Sequence, residues 1–160
     1  LMKITIIAVG KLKESYLKQA SKEYSKRLSK YCTFEIIEVK DEKIAEKYSP
    51  LEKSKAVQLE GQRILKHIKK SSMVFTLDIE GTTFTSPAFA KKIETAMLKG
   101  SSHFTFIIGG SLGLSEEVKA CSHLALSFSK MTFPHQLFRI MLLEQLYRVF
   151  KINNNEPYHL

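Results

Sequence analysis

Phe106-Ile107-Ile108-Gly109-Gly110-Ser111-Leu112-Gly113-Leu114 decides the class of fold. A short apolar, β-branched run bounded by a turn signal reads as a strand covered on both faces, and such strands belong to parallel sheets flanked by helices. The run ends in glycines, which let backbone approach a ligand closely. Ligands of open α/β sheets sit beyond the carboxyl ends of the strands, where this loop falls. It is not a dinucleotide fingerprint: that pattern needs glycines at relative positions 1, 3 and 6, and here they stand at 1, 2 and 5. The first strand's turn offers only Val9-Gly10-Lys11, and no phosphate-binding G-x-x-x-x-G-K-[ST] occurs. A plain tight turn is the alternative use of the same residues.

Working outward, Lys3–Val9, Phe34–Val39, Met73–Leu77, Phe104–Ile108 and Leu124–Phe128 read as strands. Amphipathic helices are expected over 14–30, 51–69, Ser86–Lys99 and Ser115–Lys119, with a last long helix from Pro134 to about Ile152. Ser49-Pro50 signals a helix start, and Asp78-Ile79-Glu80-Gly81 reads as a loop. Strands alternating with helices predict an α/β domain with a mainly parallel sheet covered on both faces. No repeat, linker or low-complexity segment divides residues 1–160, so one domain is expected.

Bulk composition narrows the class. A hydrophobic fraction of 44% fits a globular chain. No segment approaches the length of a membrane span, and the apolar run Ile4–Val9 is too short for a secretory leader. Leu1 precedes Met2, which is the expected natural start. Cys32 and Cys121 are far apart and form no C-x-x-C. They read as small buried hydrophobes, with neither a metal site nor a disulfide, in a cytoplasmic protein. The net charge is +9, and it is uneven. Residues 1–71 carry 17 Lys/Arg against 9 Asp/Glu, whereas residues 72–160 carry 8 against 7. An excess of this size points to a polyanionic partner, nucleic acid before membrane. Lys18, Lys22, Lys26, Arg27 and Lys30 give the first helix a basic outer face.

Two C-terminal features stand out. The connector Ser127-Phe128-Ser129-Lys130-Met131-Thr132-Phe133-Pro134 is more apolar than a surface loop usually is. It reads as wrapped round an apolar ligand or covered by another chain. The helix after it is apolar on more than one face, through Leu137, Phe138, Ile140, Met141, Leu142 and Leu143. A helix of that kind is buried on several sides, and a homodimer built on it is expected. His135 lies in its first turn, where the helix N-terminus should keep the imidazole neutral. Glu144 and Arg148 stand at i,i+4, but Arg139 has no such partner, which suggests a role beyond helix support. Tyr158 and His159 read as a frayed tail or as groups that stack on and hydrogen-bond to an unpaired base.

Taken in order, Gly10-Lys11-Leu12-Lys13, Ile107-Ile108-Gly109-Gly110, Leu126-Ser127-Phe128-Ser129, Thr132-Phe133-Pro134-His135, Arg139, Tyr147-Arg148 and Pro157-Tyr158-His159 resemble the RlmH (YbeA-like) family, over residues 2–160. The resemblance implies a SPOUT (α/β-knot) fold with a C-terminal trefoil knot, and a knot and cofactor pocket within about residues 73–152. It implies S-adenosyl-L-methionine as cofactor, held by Leu77, Gly109, Phe128, Ser129, Lys130, Met131, Thr132 and Phe133. It implies methylation of N3 of a pseudouridine, position 1915 of 23S ribosomal RNA, by a homodimer acting on the assembled 70S ribosome. His135, Arg139, Tyr158 and His159 are the residues expected around the reacting base. The alternatives are a methyltransferase of the same fold acting on another RNA, and a non-catalytic ribosome-binding factor. Two positions depart from the family pattern: Asn155 stands where glycine is common, and Leu160 where Lys or Arg is frequent.

Overall fold

The computed structural model describes residues 2–160; Leu1, and the expectation attached to it, lie outside them. Five strands and five helices alternate: β1 (Lys3–Val9), α1 (Ser15–Leu28), β2 (Thr33–Val39), α2 (Pro50–Leu65), β3 (Met73–Thr83), α3 (Ser86–Leu98), β4 (His103–Ile108), α4 (Glu116–Ala120), β5 (Leu124–Ser127) and α5 (His135–Asn153). The strands form one sheet in the order β2-β1-β4-β3-β5, and every pairing is parallel.

Alternate side chains of β1, β3 and β4 feed two cores. On one face Ile4, Ile6, Phe75, Phe104 and Phe106 pack against α1, α3 and α5. Phe75 and Phe106 stack there with centroids 4.8 Å apart, and Phe89 of α3 meets Phe75 edge-on at 6.1 Å. On the other face Ile7, Val9, Val74 and Ile107 meet Ile64 of α2 and Val118 of α4. Both faces being covered explains why the central strands are apolar throughout instead of alternating.

The helix starts follow their sequence signals. Ser49 and Glu52 form a reciprocal capping box with Pro50 in the first turn of α2. Thr85 and Ser115 cap α3 and α4 by accepting from Ala88 and Val118.

Two expectations change. β3 does not stop at Leu77 but runs to Thr83. Leu77 and Thr82 both pair with Leu126, so residues 78–81 leave the ladder and re-enter it as a wide bulge. Gly81 permits the return: a Cβ there would lie 2.5 Å from the Ala125 carbonyl oxygen. The loop signal therefore marked a bulge within a strand. α5, meanwhile, lies between α1 and α3 on the sheet, with Leu142, Leu143, Leu146, Val149 and Phe150 buried within the chain. Most of its apolar excess is thus covered internally. What stays open is its N-terminal half, where Leu137 is 41% exposed.

Candidate active site

A cleft of about 390 Å³ lies beyond the carboxyl ends of β3, β4 and β5, where open α/β sheets hold ligands. The bulge supplies one lip through Leu77, Asp78 and Ile79, and the turn Gly109–Leu114 supplies the floor. Phe128, Ser129, Met131, Thr132 and Phe133 form the opposite wall, closed by His135 and Phe138 of α5. Seven of the eight residues expected to hold the cofactor line this one cleft; Lys130 does not. Ser111, in the glycine loop, lines it too, as do Asp78 and Lys119, which sequence reading missed. No sequence signal marked Asp78 or Lys119, because the bulge and the short α4 carry them there.

The cleft is shaped by close backbone approach. At Gly109 a Cβ would stand 3.0 Å from the carbonyl carbon and oxygen of Gly113 and from Leu114 Cδ2. The turn is closed by Gly113 N–H donating to the Gly110 carbonyl at 3.1 Å. Across the cleft the Ser127 hydroxyl lies 3.0 Å from the carbonyl oxygens of Ile79 and Ser129, tying the bulge to the connector. The Ser129 hydroxyl accepts from Met131 N–H at 3.0 Å. The apolar connector is anchored by Phe128 against Phe138, with centroids 4.8 Å apart. Beneath the Gly109–Gly110 turn sits Glu60, a buried acid that accepts from Glu42 N–H at 2.9 Å. Burial raises its pKa above the ordinary carboxylate value.

The four residues expected around a reacting base fall into two groups. His135 lines the cleft. Its pKa is lowered, first by burial and next by the neighbouring Arg139 guanidinium, with Asp41 opposing. The imidazole is therefore mainly neutral at pH 7, as expected, but through burial and a guanidinium one helical turn away. Arg139, one turn further on, is buried, and its two terminal nitrogens are spoken for. One pairs with the Glu38 carboxylate at the end of β2, and the other donates to the Gly10 carbonyl at 3.1 Å. Arg139 does have an ionic partner, then, but on another element 101 residues away in sequence.

Tyr158 and His159 lie elsewhere. The chain turns back at Asn155, whose φ of +54° is the left-handed conformation that asparagine tolerates in place of glycine. The Tyr158 hydroxyl donates to Glu144 at 2.7 Å, and its ring packs edge-on to Tyr147 at 5.0 Å. The Arg148 guanidinium lies over that ring, 4.7 Å from its centroid, and its Nη1 is 3.0 Å from His159 Nδ1. Burial, reinforced by Glu144, pushes the Tyr158 phenol up to about 12. The tail is docked on the chain. Its anchor Glu144 is nine residues beyond His135, about 13 Å along the helix axis, so one chain does not bring the two pairs together.

The His135 shift predicts a pH effect on stability. A folded-state pKa below 6.5 means that the unfolded chain takes up the proton first as pH falls. This contribution to stability is present above pH 6.5 and is lost on acidification. His135→Gln is expected to show a smaller drop in Tm between pH 7.5 and 5.5 than the parent in thermal denaturation. An unchanged drop would mean that His135 is not held neutral by the fold.

No helix among the described residues is long and apolar enough to cross a membrane. No group of three metal-ligating side chains gathers among them either.

Comparison with known proteins now fixes the class. The family model described as "Predicted SPOUT methyltransferase" matches residues 2–159. Among curated proteins, the ribosomal RNA large subunit methyltransferase H of Clostridium botulinum (strain Kyoto) is 57% identical over 158 residues, spanning 99% of both chains. Ribosomal RNA large subunit methyltransferase H 1 of Clostridium perfringens (strain SM101) is 56% identical, and ribosomal RNA large subunit methyltransferase H of Acetivibrio thermocellus 52%, each over 99% of both chains. The chain belongs to the SPOUT methyltransferases and, among them, to the family of ribosomal RNA large subunit methyltransferase H. A Legionella pneumophila protein solved with bound SAM overlays at a TM-score of 0.48, with 12% identity over 91% of this chain and 65% of that one, a likeness too slight to build on.

Proposed function

We propose that the protein is an S-adenosylmethionine-dependent methyltransferase that modifies N3 of a pseudouridine, position 1915 of 23S ribosomal RNA, on the assembled ribosome in the cytoplasm. The observation that carries this reading is the convergence of Leu77, Gly109, Phe128, Ser129, Met131, Thr132 and Phe133 on one cleft. The relatives' names point to ribosomal RNA as substrate. The residues fit the cofactor: the walls mix apolar side chains such as Leu77, Phe128 and Met131 with polar ones such as Asp78, Ser129 and Thr132, as a molecule with both apolar and polar parts requires, and the floor is a backbone cradle that a Cβ at Gly109 would fill. When bound, S-adenosylmethionine supplies an electrophilic sulfonium methyl group.

The chain's own residues do the rest. The cleft's task is to hold the target base in line for attack, which contributes chiefly through positioning. Neutral His135 accepts a hydrogen bond or proton from the base N3–H. Arg139 beside it steadies the negative charge that develops as that proton leaves. Tyr158 and His159 reach the base of a partner's cleft, in a homodimer that packs the N-terminal halves of two α5 helices together. Exposed Met131 of the cleft wall and exposed Leu137 in the first turn of α5 support that interface. A trefoil knot in the C-terminal half belongs to the same reading.

The test uses labelled S-adenosylmethionine and 70S ribosomes lacking the modification. Label is expected in large-subunit RNA, at a base that reverse transcription maps. No label there, with cofactor binding intact, defeats the reading; label in free tRNA instead favours another RNA substrate. Tyr158→Ala is expected to cut methylation at least about tenfold, equivalent to roughly 1.4 kcal/mol, with cofactor affinity unchanged in calorimetry. Full activity in that variant would exclude the tail from the site.

A further inference from the structure

A second concavity opens on the other side of Arg139, and the cofactor reading does not use it. It is a groove of about 470 Å³ between the turn after β1, the first half of α1 and the end of β2. Lys11, Lys18 and Lys22 line it, with Arg139 and Ser21 beneath and Glu38 alone as an acid. Glu38 is already committed to Arg139. Lys11, Lys18 and Lys22 form no ion pair among the described residues. Three lysine charges therefore converge unopposed over a fixed guanidinium.

Topology sets the groove beside the cleft. β1 and β4 are parallel neighbours, so Gly10 and Gly109 emerge at the same edge of the sheet. Arg139 bonds to Gly10 and follows His135 of the cleft by one helical turn. A strand whose base entered the cleft would run its backbone past Arg139 into the groove.

We propose that this groove seats the RNA phosphodiester groups next to the methylated nucleotide, with Lys18 and Lys22 as the principal contacts; the proposal rests on RNA being the substrate. Lysine suits the role as a mobile point charge for phosphate. The groove's apolar members, Leu12 and Ile36, are recessed instead of projecting, so the surface offers a lipid bilayer nothing to bury.

The test compares two double variants that remove equal charge. Lys18→Gln/Lys22→Gln alters the groove. Lys66→Gln/Lys70→Gln alters exposed lysines just beyond the end of α2, at the opposite edge of the sheet. Binding to unmodified 70S ribosomes is followed by sedimentation over a KCl series at constant Mg²⁺, and cofactor binding by calorimetry. The groove variant is expected to bind ribosomes about tenfold more weakly, with a slope of log affinity against log salt shallower by roughly 1 per lysine. Lys18→Arg/Lys22→Arg should restore both, and cofactor affinity should not move. Equal losses in the two Gln variants, or an unchanged slope in the groove variant, would overturn the proposal while leaving the methyltransferase reading intact. A parent protein that binds cofactor but no ribosome would overturn both.

Discussion

Gly109→Val is expected to weaken S-adenosylmethionine binding by at least about 100-fold, or roughly 2.7 kcal/mol, in a protein that still folds. The added Cβ alone would sit 3.0 Å from two backbone atoms of Gly113 and from the Leu114 side chain. Backbone cannot rotate away as a side-chain tip can. The turn closed by Gly113 N–H and the Gly110 carbonyl must open instead, and that turn is the cleft floor. Overpacking of this kind costs about 1–3 kcal/mol, and here it falls on the residues that define the cavity. Gly109→Ala should be intermediate, about tenfold, since one methyl asks for a shift of a few tenths of an ångström. Calorimetric titration of the three proteins gives the series directly. Valine tolerated with parental affinity would place the cofactor somewhere other than this cleft.

Arg139→Met is expected to have the second large effect, on both stability and turnover. Methionine keeps much of the volume but leaves Glu38 and the Gly10 carbonyl without their donor. Breaking a buried ion pair costs about 3–5 kcal/mol. Glu38 is partly exposed, and water will take over some of its solvation, so about 2 kcal/mol is a fair figure here. For a chain of this size that lowers Tm by roughly 4–8 °C. The functional loss should be larger, at least about 100-fold in kcat/KM on ribosomes, because Arg139 also fixes the turn between cleft and groove and sits beside His135. Arg139→Lys, which keeps the charge but not two directed bonds, should recover part of the stability and little of the turnover. Assays at 20 °C, with the folded fraction checked by circular dichroism, separate the two effects. A Met variant that is less stable but turns over normally would make Arg139 a structural residue only.

These predictions draw on different layers of information. Gly109 was legible as a candidate from the sequence, because an apolar strand running into glycines has few other uses. The connector 128–133 was legible too, since its apolar character had to be covered by something. Arg139 was singled out by a missing i,i+4 partner, yet its pairing with Glu38 could not be read, because local spacing carries no information about contacts 101 residues apart. The bulge in β3 was hidden for a similar reason. Gly81 signals a break in regular backbone, but whether the chain leaves the sheet or rejoins it depends on the β5 backbone alongside. Asp78 and Lys119 reach the cleft through that bulge and through α4, so nothing in their own neighbourhood announced them.

By itself, then, the sequence determined the alternation of strands and helices, the apolar central strands, the capped helix starts and the basic N-terminal half. Each follows from preferences acting within a few residues or from simple charge counting. Tertiary structure alone decided the strand order, the burial of His135, the docking of the Tyr158 tail on Glu144 and Arg148, and the basic groove behind Arg139. Those depend on which distant segments share a surface, and burial and charge act through space without regard to separation along the chain.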